Sequence, residues 1–213
     1  MSKILIVSKT RMANDRVCVG GIDIDNNISV RLLNINGYYE SADTCQFNIR
    51  EIWDVDYSKH NQRPLPHSED ICVMSKKKSG ELKSEISMLD MLTKIQFHVC
   101  KGSLFMTFEG KLKSTDSGTL YISEDSVPNN STCFWVCDRE IRRSDYKGKV
   151  RYNYQGGTRQ WGINISYAGL EDKPAQIIPQ GTLTRLSLAH WWSPPEDSDT
   201  EERCYLQLSG WYE

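Results

Sequence analysis

Apolar and polar residues alternate in two segments near the end of the chain, residues 181–192 and 204–213. Alternation with a period of two is typical of half-buried β-strands. Four leucines share the side that we predict to be buried, namely Leu186, Leu188, Leu206 and Leu208. The opposite side, predicted to face a groove or a partner, carries Arg185, Tyr205, Gln207 and Trp211. An ordinary antiparallel strand pair with a polar outer face has the same pattern.

The same pattern predicts strands along most of the chain. Residues 16–24 and 28–35 read as a hairpin around Asp25-Asn26-Asn27, a triplet that favours turns. Gly20 and Gly21 interrupt the first arm, and such pairs mark bulges or sharp coiling. The other predicted strands are residues 3–8, 47–57, 70–74, 104–113, 119–123, 133–137, 150–154 and 160–167.

One short helix is predicted over residues 84–95, with Ser84 as its N-cap and an apolar stripe along one side. Strand patterns begin again after it. We therefore predict a mostly β protein of two small OB-like Greek-key barrels, residues 1–101 and 102–213, with one short helix. A single sandwich would use as many strands, although sandwiches rarely carry such a helix.

Length and composition place the chain among ordinary globular proteins, with 213 residues, 38% hydrophobic and 25% charged. The N-terminus has only four consecutive apolar residues, too few for a signal peptide. Apolar runs stay far below the ~20 residues that span a bilayer. The chain has seven cysteines, an odd number, and we predict no secretory signal. We therefore expect free thiols, a cytoplasmic protein and no membrane partner.

Basic residues concentrate between positions 139 and 159, although the net charge is −2. Such a stripe is typical of nucleic-acid contact, and also of an ordinary solvated face. From it we select Arg142, Arg143, Lys147, Lys149 and Arg151 as candidate phosphate-binding residues. Lys76, Lys77 and Lys78 form a second basic cluster, whereas acidic residues crowd positions 196–202.

Residue patterns typical of catalysis are weak. Cys133 and Cys137 are separated by three residues and have no second pair to complete a zinc site, so buried thiols are expected. Nucleophile and phosphate-loop motifs are absent. Two carboxylate pairs, Asp23 with Asp25 and Asp54 with Asp56, are more typical of exposed strands than of a Mg²⁺ site. We expect no enzyme activity, no metal and no cofactor.

The aromatic residues divide into core and surface candidates. Trp161 alternates with small and polar residues and is expected in the core. Trp191 and Trp192 must point to opposite faces if their strand continues. We select Trp191, together with Tyr205 and Trp211, as a candidate base-stacking residue near Arg185.

Two segments of the sequence resemble the prokaryotic dual OB-containing domain family. One is Ser8-Lys-Thr-Arg-Met12 leading into Arg16-Val-Cys-Val-Gly-Gly-Ile22 and Val30-Arg-Leu-Leu33. The more specific one covers Ile178–Trp192 and Cys204–Tyr212, whereas residues 36–128 do not match residue by residue. The resemblance implies two OB-like barrels, nucleic-acid binding and a connection to bacterial conflict systems. It implies no catalytic residue.

Three functional hypotheses follow. The first is a module that binds nucleic acid, single-stranded DNA or RNA above all. The second is an adaptor that docks a helicase or nuclease effector, and the third is a hydrolase with an unrecognised site. Salt separates the first two, because phosphate binding weakens steeply as salt rises and apolar docking does not.

Overall fold

A computed structural model describes residues 1–60, 64–155, 162–193 and 201–213. The protein is mostly β and forms two compact units. The first consists of residues 1–64 and 68–98, and the second of residues 65–67 and 99–213. Trp161 and Arg159 lie outside the described residues, as do positions 196–200 of the acidic segment. Among the described helices, none has the length and apolar character needed to cross a membrane.

The first unit contains a closed barrel of five strands, ordered β1-β5-β6-β3-β2 and closed by pairing of β2 with β1. A short sixth strand, β4, pairs with β2. The strands are β1 (Ser2–Met12), β2 (Arg16–Asp23), β3 (Ile28–Leu33), β4 (Glu40–Ser41), β5 (Glu51–Lys59) and β6 (Asp70–Glu81). The predicted OB-like barrel architecture is confirmed here, with β6 extending well beyond the predicted 70–74.

A glycine pair permits this closure. At Gly20 and Gly21, β2 pairs with β1 and β3 at once, and the β1 register shifts so that Val7 is the extra residue. A Cβ atom on Gly21 would lie 2.6 Å from Ile4 Cγ2 and 3.2 Å from Leu32 Cδ1. The predicted irregularity therefore lies at this pair, with its extra residue on β1, and the Ile4 and Leu32 side chains occupy the space that a side chain at Gly21 would need.

The predicted hairpin joins β2 to β3. Its turn is held by Asp23, whose Oδ1 accepts hydrogen bonds from the Asp25 and Asn26 amides at 3.1 and 3.0 Å. Asp23 Oδ2 also accepts from the Tyr57 hydroxyl at 2.7 Å. Asp23 therefore has a structural role, and Asp54 pairs with Lys3 at 3.0 Å.

A buried carboxylate ties β5 to β6. Glu51 accepts hydrogen bonds from Lys78 Nζ at 2.7 Å, Trp53 Nε1 at 3.0 Å and the Asn48 amide at 2.9 Å. Burial by itself raises the pKa of Glu51, but these donors outweigh it and lower the pKa to about 2. The unfolded value is about 4.3, so this carboxylate stabilises the fold above that pH and less as the pH falls toward 2.

Glu51→Gln is therefore expected to lower the free energy of unfolding by about 1–2 kcal/mol near neutral pH. The difference from the parent should shrink at about pH 3, and urea unfolding at the two pH values measures it. Glu81→Gln is the matched control, because Glu81 contacts the same Lys78 at 3.5 Å from a side chain that is 61% exposed. Equal losses in both variants would contradict the assigned role.

The helix is shorter than predicted. It spans α1 (Met88–Lys94), and its N-cap is Ser87, which accepts a hydrogen bond from the Asp90 amide at 3.0 Å. Ser84, the predicted cap, lies one turn earlier, and the chain at residues 84–86 is not helical. Both serines are plausible caps by type, but only Ser87 has a helical residue at the N3 position.

The second unit is built on a long sheet ordered β14-β11-β12-β13-β16-β15-β10-β7, with β9 pairing to β16 and β8 to β9. Its strands are β7 (Val99–Cys100), β8 (Lys113–Ser114), β9 (Leu120–Ser123), β10 (Thr132–Val136), β11 (Ile141–Arg143), β12 (Arg151–Tyr154), β13 (Ile163–Tyr167), β14 (Ile177–Ile178), β15 (Leu183–Leu188) and β16 (Arg203–Tyr212). This sheet forms a half-barrel around a core that includes Trp135, Tyr152 and Leu206.

The predicted strand over residues 104–113 is wrong. Two 3₁₀ turns stand in its place, Leu104–Met106 and Phe108–Gly110. Phe108 and Glu109 have φ values of 50° and 62°, which a strand does not allow. The Glu109 carboxylate accepts a hydrogen bond from the Asn129 amide at 2.8 Å, a distant contact that a local pattern does not reveal.

The predicted leucine face of β15 and β16 is confirmed, since all four leucines are buried. The prediction fails beyond a bulge: Leu186 pairs with Leu208, but Arg185 pairs with Gly210. One extra residue in β16 exchanges the faces from there on. Trp211 therefore packs against the core, with its ring 5.8 Å from that of Tyr152.

Candidate nucleic-acid interface

An open groove of about 570 Å³ runs over the second unit. Aromatic, cationic and small polar side chains line it together. They are Thr119, Lys149, Arg151, Ser166, Ala189, His190, Trp191, Trp192, Tyr205 and Gln207. Five of the ten predicted site residues are among them: Lys149, Arg151, Trp191, Tyr205 and Gln207.

The groove floor is a row of side chains that crosses three strands. Arg151 of β12 pairs with Ser166 of β13, and Ser166 pairs with Gln207 of β16. Their sequence neighbours Tyr152, Ile165 and Leu206 are buried on the core side. The row therefore lies on the opposite face of the sheet, and alternation along each strand explains why these polar residues share it.

Aromatic rings form one side of the groove. Trp192 is 50% exposed, and its ring centroid lies 6.0 Å from that of Tyr205. Tyr205 in turn lies 6.2 Å from Tyr121, whose ring carries the Arg203 guanidinium at 4.3 Å. The exposed indole of Trp192 beside the half-buried Tyr205 offers an apolar face of the kind on which bases stack.

Cationic side chains form another edge, next to a tight turn. Lys147 and Gly148 both have positive φ, and the flanking Tyr146 and Lys149 pair through their backbones. Tyr146 is held between two cations, with Lys147 Nζ at 5.4 Å and the Arg151 guanidinium at 5.0 Å from its ring. The turn thereby positions Lys149 and Arg151 at the groove.

A short segment from earlier in the chain, Leu65–His67, supports the Trp191 side. Trp191 Nε1 donates to the Leu65 carbonyl at 2.9 Å. The His67 ring is buried, stacks on the ring of His190 at 4.5 Å, and has its Nε2 3.3 Å from the Leu188 carbonyl. Trp191 is thus fixed by a hydrogen bond and is not a freely exposed platform.

Among the lining residues that the structure describes, none carries a carboxylate. Among the described parts of the chain, the side chains of Lys149, Ser166 and Gln207 have no hydrogen-bond or ion-pair partner, and the buried Nε of Arg151 has no hydrogen bond. Polar groups that a protein leaves unpaired at a concave surface are suited to a ligand. Because cations lie beside such groups, the groove favours a ligand that is anionic and forms hydrogen bonds.

Arg142 and Arg143, also selected as candidate site residues, lie elsewhere. Arg142 is exposed on β11 and forms an ion pair with Glu140. Arg143 makes two hydrogen bonds to the Asp145 carboxylate, both at 2.8 Å, and these lower the pKa of Asp145. Neither arginine lines the groove, and both are already neutralised by an acid of their own strand or turn.

Arg185 requires a correction, because it is only 4% exposed and does not face the groove. Its guanidinium lies 6.0 Å from the Phe134 ring, on the side of the sheet where Tyr212 also packs on Phe134. Trp211 needs the same correction, since the β16 bulge turns it toward Tyr152 and Tyr167. Strand alternation alone indicated outward positions for both.

The cysteines and the basic cluster of Lys76, Lys77 and Lys78 are the remaining candidate groups, and their contacts stabilise the fold. Burial raises the pKa of the Cys137 and Cys204 thiols to about 12. In the ranges that the structure describes, no three His, Cys, Asp or Glu side chains are grouped as metal ligands would be. Lys76 and Lys78 contact Glu40 and Glu51, at 3.3 and 2.7 Å.

Sequence reasoning did not select five of the lining residues, namely Thr119, Ser166, Ala189, His190 and Trp192. Ser166 reaches the groove through the parallel pairing of β13 with β16, which brings together segments about forty positions apart. Such pairing leaves no local pattern in the sequence. Trp192 was missed because adjacent tryptophans in a strand would face opposite ways, whereas β15 ends at Leu188 and both Trp191 and Trp192 line the groove.

Comparison with known proteins gives one match. The dual OB-containing domain family matches residues 2–211, almost the whole chain. No curated protein and no solved structure matches this chain.

Proposed function

Because the chain belongs to the dual OB-containing domain family, we propose that it is a nucleic-acid-binding module whose second unit binds a single strand of DNA or RNA. One observation carries the proposal. A single groove combines two cations, the exposed ring of Trp192, the half-buried ring of Tyr205 and polar groups without partners, and its described lining residues include no carboxylate. These are the components with which OB folds bind single strands.

The aromatic side of the groove favours a single strand over a duplex. Trp192 and Tyr205 can stack only on bases whose faces are open, and in a duplex the neighbouring base pairs cover those faces. Lys149 and Arg151 supply charge for phosphates, which gives affinity without sequence preference. Binding alone accounts for these groups, and we propose no catalytic step.

A panel of fluorescently labelled single- and double-stranded DNA and RNA, titrated at two salt concentrations, tests the proposal by anisotropy. Single strands should bind more tightly than duplexes, and their affinity should fall steeply as salt rises. Absence of binding to every polymer at low salt would refute it. Binding that ignores salt would favour the alternative, an adaptor that docks an effector protein.

Lys149→Ala is expected to weaken binding of a single strand and to reduce its salt slope by roughly 0.7, because one phosphate contact is lost. Arg142→Ala is the matched control: its side chain is 63% exposed in the same unit, but it pairs with Glu140 outside the groove. Anisotropy titrations over a range of salt give both slopes. If Arg142→Ala has the larger effect, phosphate binds to the basic residues between positions 139 and 159 that lie outside the groove, and not to the groove.

The cellular setting is an extension of the proposal. All seven cysteines are free thiols, which suits a reducing cytoplasm. A place in prokaryotic defence would follow if the bound strand is foreign or damaged nucleic acid, and identification of nucleic acid co-purified from infected and uninfected cells would test that.

A further inference from the structure

We infer that Gln207 is the specificity-determining residue of the groove and reads the edge of an unpaired base. The inference rests on the proposed function, namely that the groove binds a single strand. It adds a base-reading role to that function, because phosphate contacts and stacking by themselves carry little sequence information.

The position of Gln207 in the sheet is the first observation that supports a base-reading role. It lies in the floor row, two strands away from Arg151 and directly paired with Ser166. Two strand spacings amount to about 10 Å, a distance that one nucleotide bridges from its phosphate to its base. Tyr205 precedes Gln207 by two positions and therefore shares its face.

A nucleotide thus has one consistent orientation in the groove. Its phosphate lies at Lys149 and Arg151, and its base lies against Tyr205 and Trp192. The base edge then lies over Gln207. The reverse orientation would put a phosphate on the aromatic rings and leave two cations beside an uncharged base, which electrostatics opposes.

The chemistry of the amide carries the second step. A glutamine side chain presents a donor and an acceptor side by side, the pattern that base edges complement. Within residues 1–60, 64–155, 162–193 and 201–213, nothing hydrogen-bonds to the Gln207 side chain, although it is half-buried. A site that offers unpaired hydrogen-bonding groups rejects ligands that leave them unsatisfied.

The test compares single-stranded homopolymers of about ten nucleotides, oligo(dA), oligo(dC) and oligo(dT), by anisotropy. The parent should bind its best homopolymer about 5- to 150-fold more tightly than its worst. Gln207→Leu keeps the size of the side chain but removes its hydrogen bonds, and should bring the affinities close together. Gln207→Glu, which only accepts hydrogen bonds, should shift the preference toward oligo(dC) and oligo(dA), whose amino groups donate, and away from oligo(dT), which has no amino group.

Lys149→Ala is the control that separates the two kinds of contact. It should weaken all three homopolymers by the same factor and keep their order, since it removes a phosphate contact. Melting curves confirm that each variant is folded. Equal binding of all homopolymers by the parent, or an unchanged order in both Gln207 variants, overturns the inference. If the parent binds neither these homopolymers nor their RNA counterparts, the proposed function itself is refuted.

Discussion

Leu206→Ala is expected to lower the free energy of unfolding by about 2–5 kcal/mol, as transfer energy is lost and a cavity is left behind. Leu206 is 2% exposed and belongs to the core of the second unit. It pairs with Leu188 across β15 and β16. This pair holds the central strands of the long sheet, so collapse around the deleted side chain is limited. Urea unfolding of the parent and the variant measures the loss.

Its neighbour provides the matched control. Tyr205→Ala should cost less stability, because Tyr205 lies on the half-buried groove side of the same strand. It should nevertheless weaken single-strand binding by about 5- to 150-fold, the loss expected for one stacking contact. If Tyr205→Ala unfolds the protein while Leu206→Ala leaves it stable, the two faces of β16 are assigned the wrong way round and the groove proposal is lost with them.

Gly21→Ala is expected to destabilise the first unit by about 1–3 kcal/mol through overpacking. The added methyl group would lie 2.6 Å from Ile4 Cγ2 and 3.3 Å from the Leu5 carbonyl oxygen, so strands of the closed barrel must move apart. A larger residue should cost more. The midpoint of urea unfolding, compared with the parent, gives the effect.

Gly80→Ala is the comparison that isolates crowding from the loss of a glycine. Gly80 lies on β6 of the same barrel, and a Cβ atom there would meet nothing within 4 Å. This substitution should be neutral or slightly stabilising, because alanine restricts the unfolded chain. If Gly21→Ala and Gly80→Ala unfold at the same urea concentration, steric closure at Gly21 is not what limits the barrel.

The parts of the fold that the sequence predicted are those with local causes. The hairpin between β2 and β3 was predictable because Asp25-Asn26-Asn27 favours a turn and Asp23 precedes it within hydrogen-bonding reach. The leucine face of β15 and β16 followed from simple alternation. The segment 104–113 could not be predicted in this way, since it has positive φ values at Phe108 and Glu109, and the Glu109 carboxylate accepts a hydrogen bond from a residue 20 positions away.

The residues of the candidate site likewise divide into those that a local pattern predicts and those that depend on the pairing of distant segments. Tyr205 and Gln207 could be placed on an outward face because the pattern is regular as far as Leu208. Trp211 could not, because a bulge beside Gly210 reverses the faces, and a single glycine in a strand does not show where the extra residue lies. Arg185 was misplaced for another reason: rings from β10 and β16, Phe134 and Tyr212, bury the face that alternation left open. Sheet pairing, rather than strand pattern, decides which polar residues line the groove.

The segment Leu65–His67 limits how the halves of this protein can be exchanged or dissected. It lies early in the chain, yet it belongs to the second unit. A fragment of residues 99–213 would lose the carbonyl that holds Trp191 and the ring that stacks on His190. One break in the chain therefore cannot release an intact groove. Recombination between relatives would have to transfer this tripeptide together with the C-terminal half to inherit the groove unchanged.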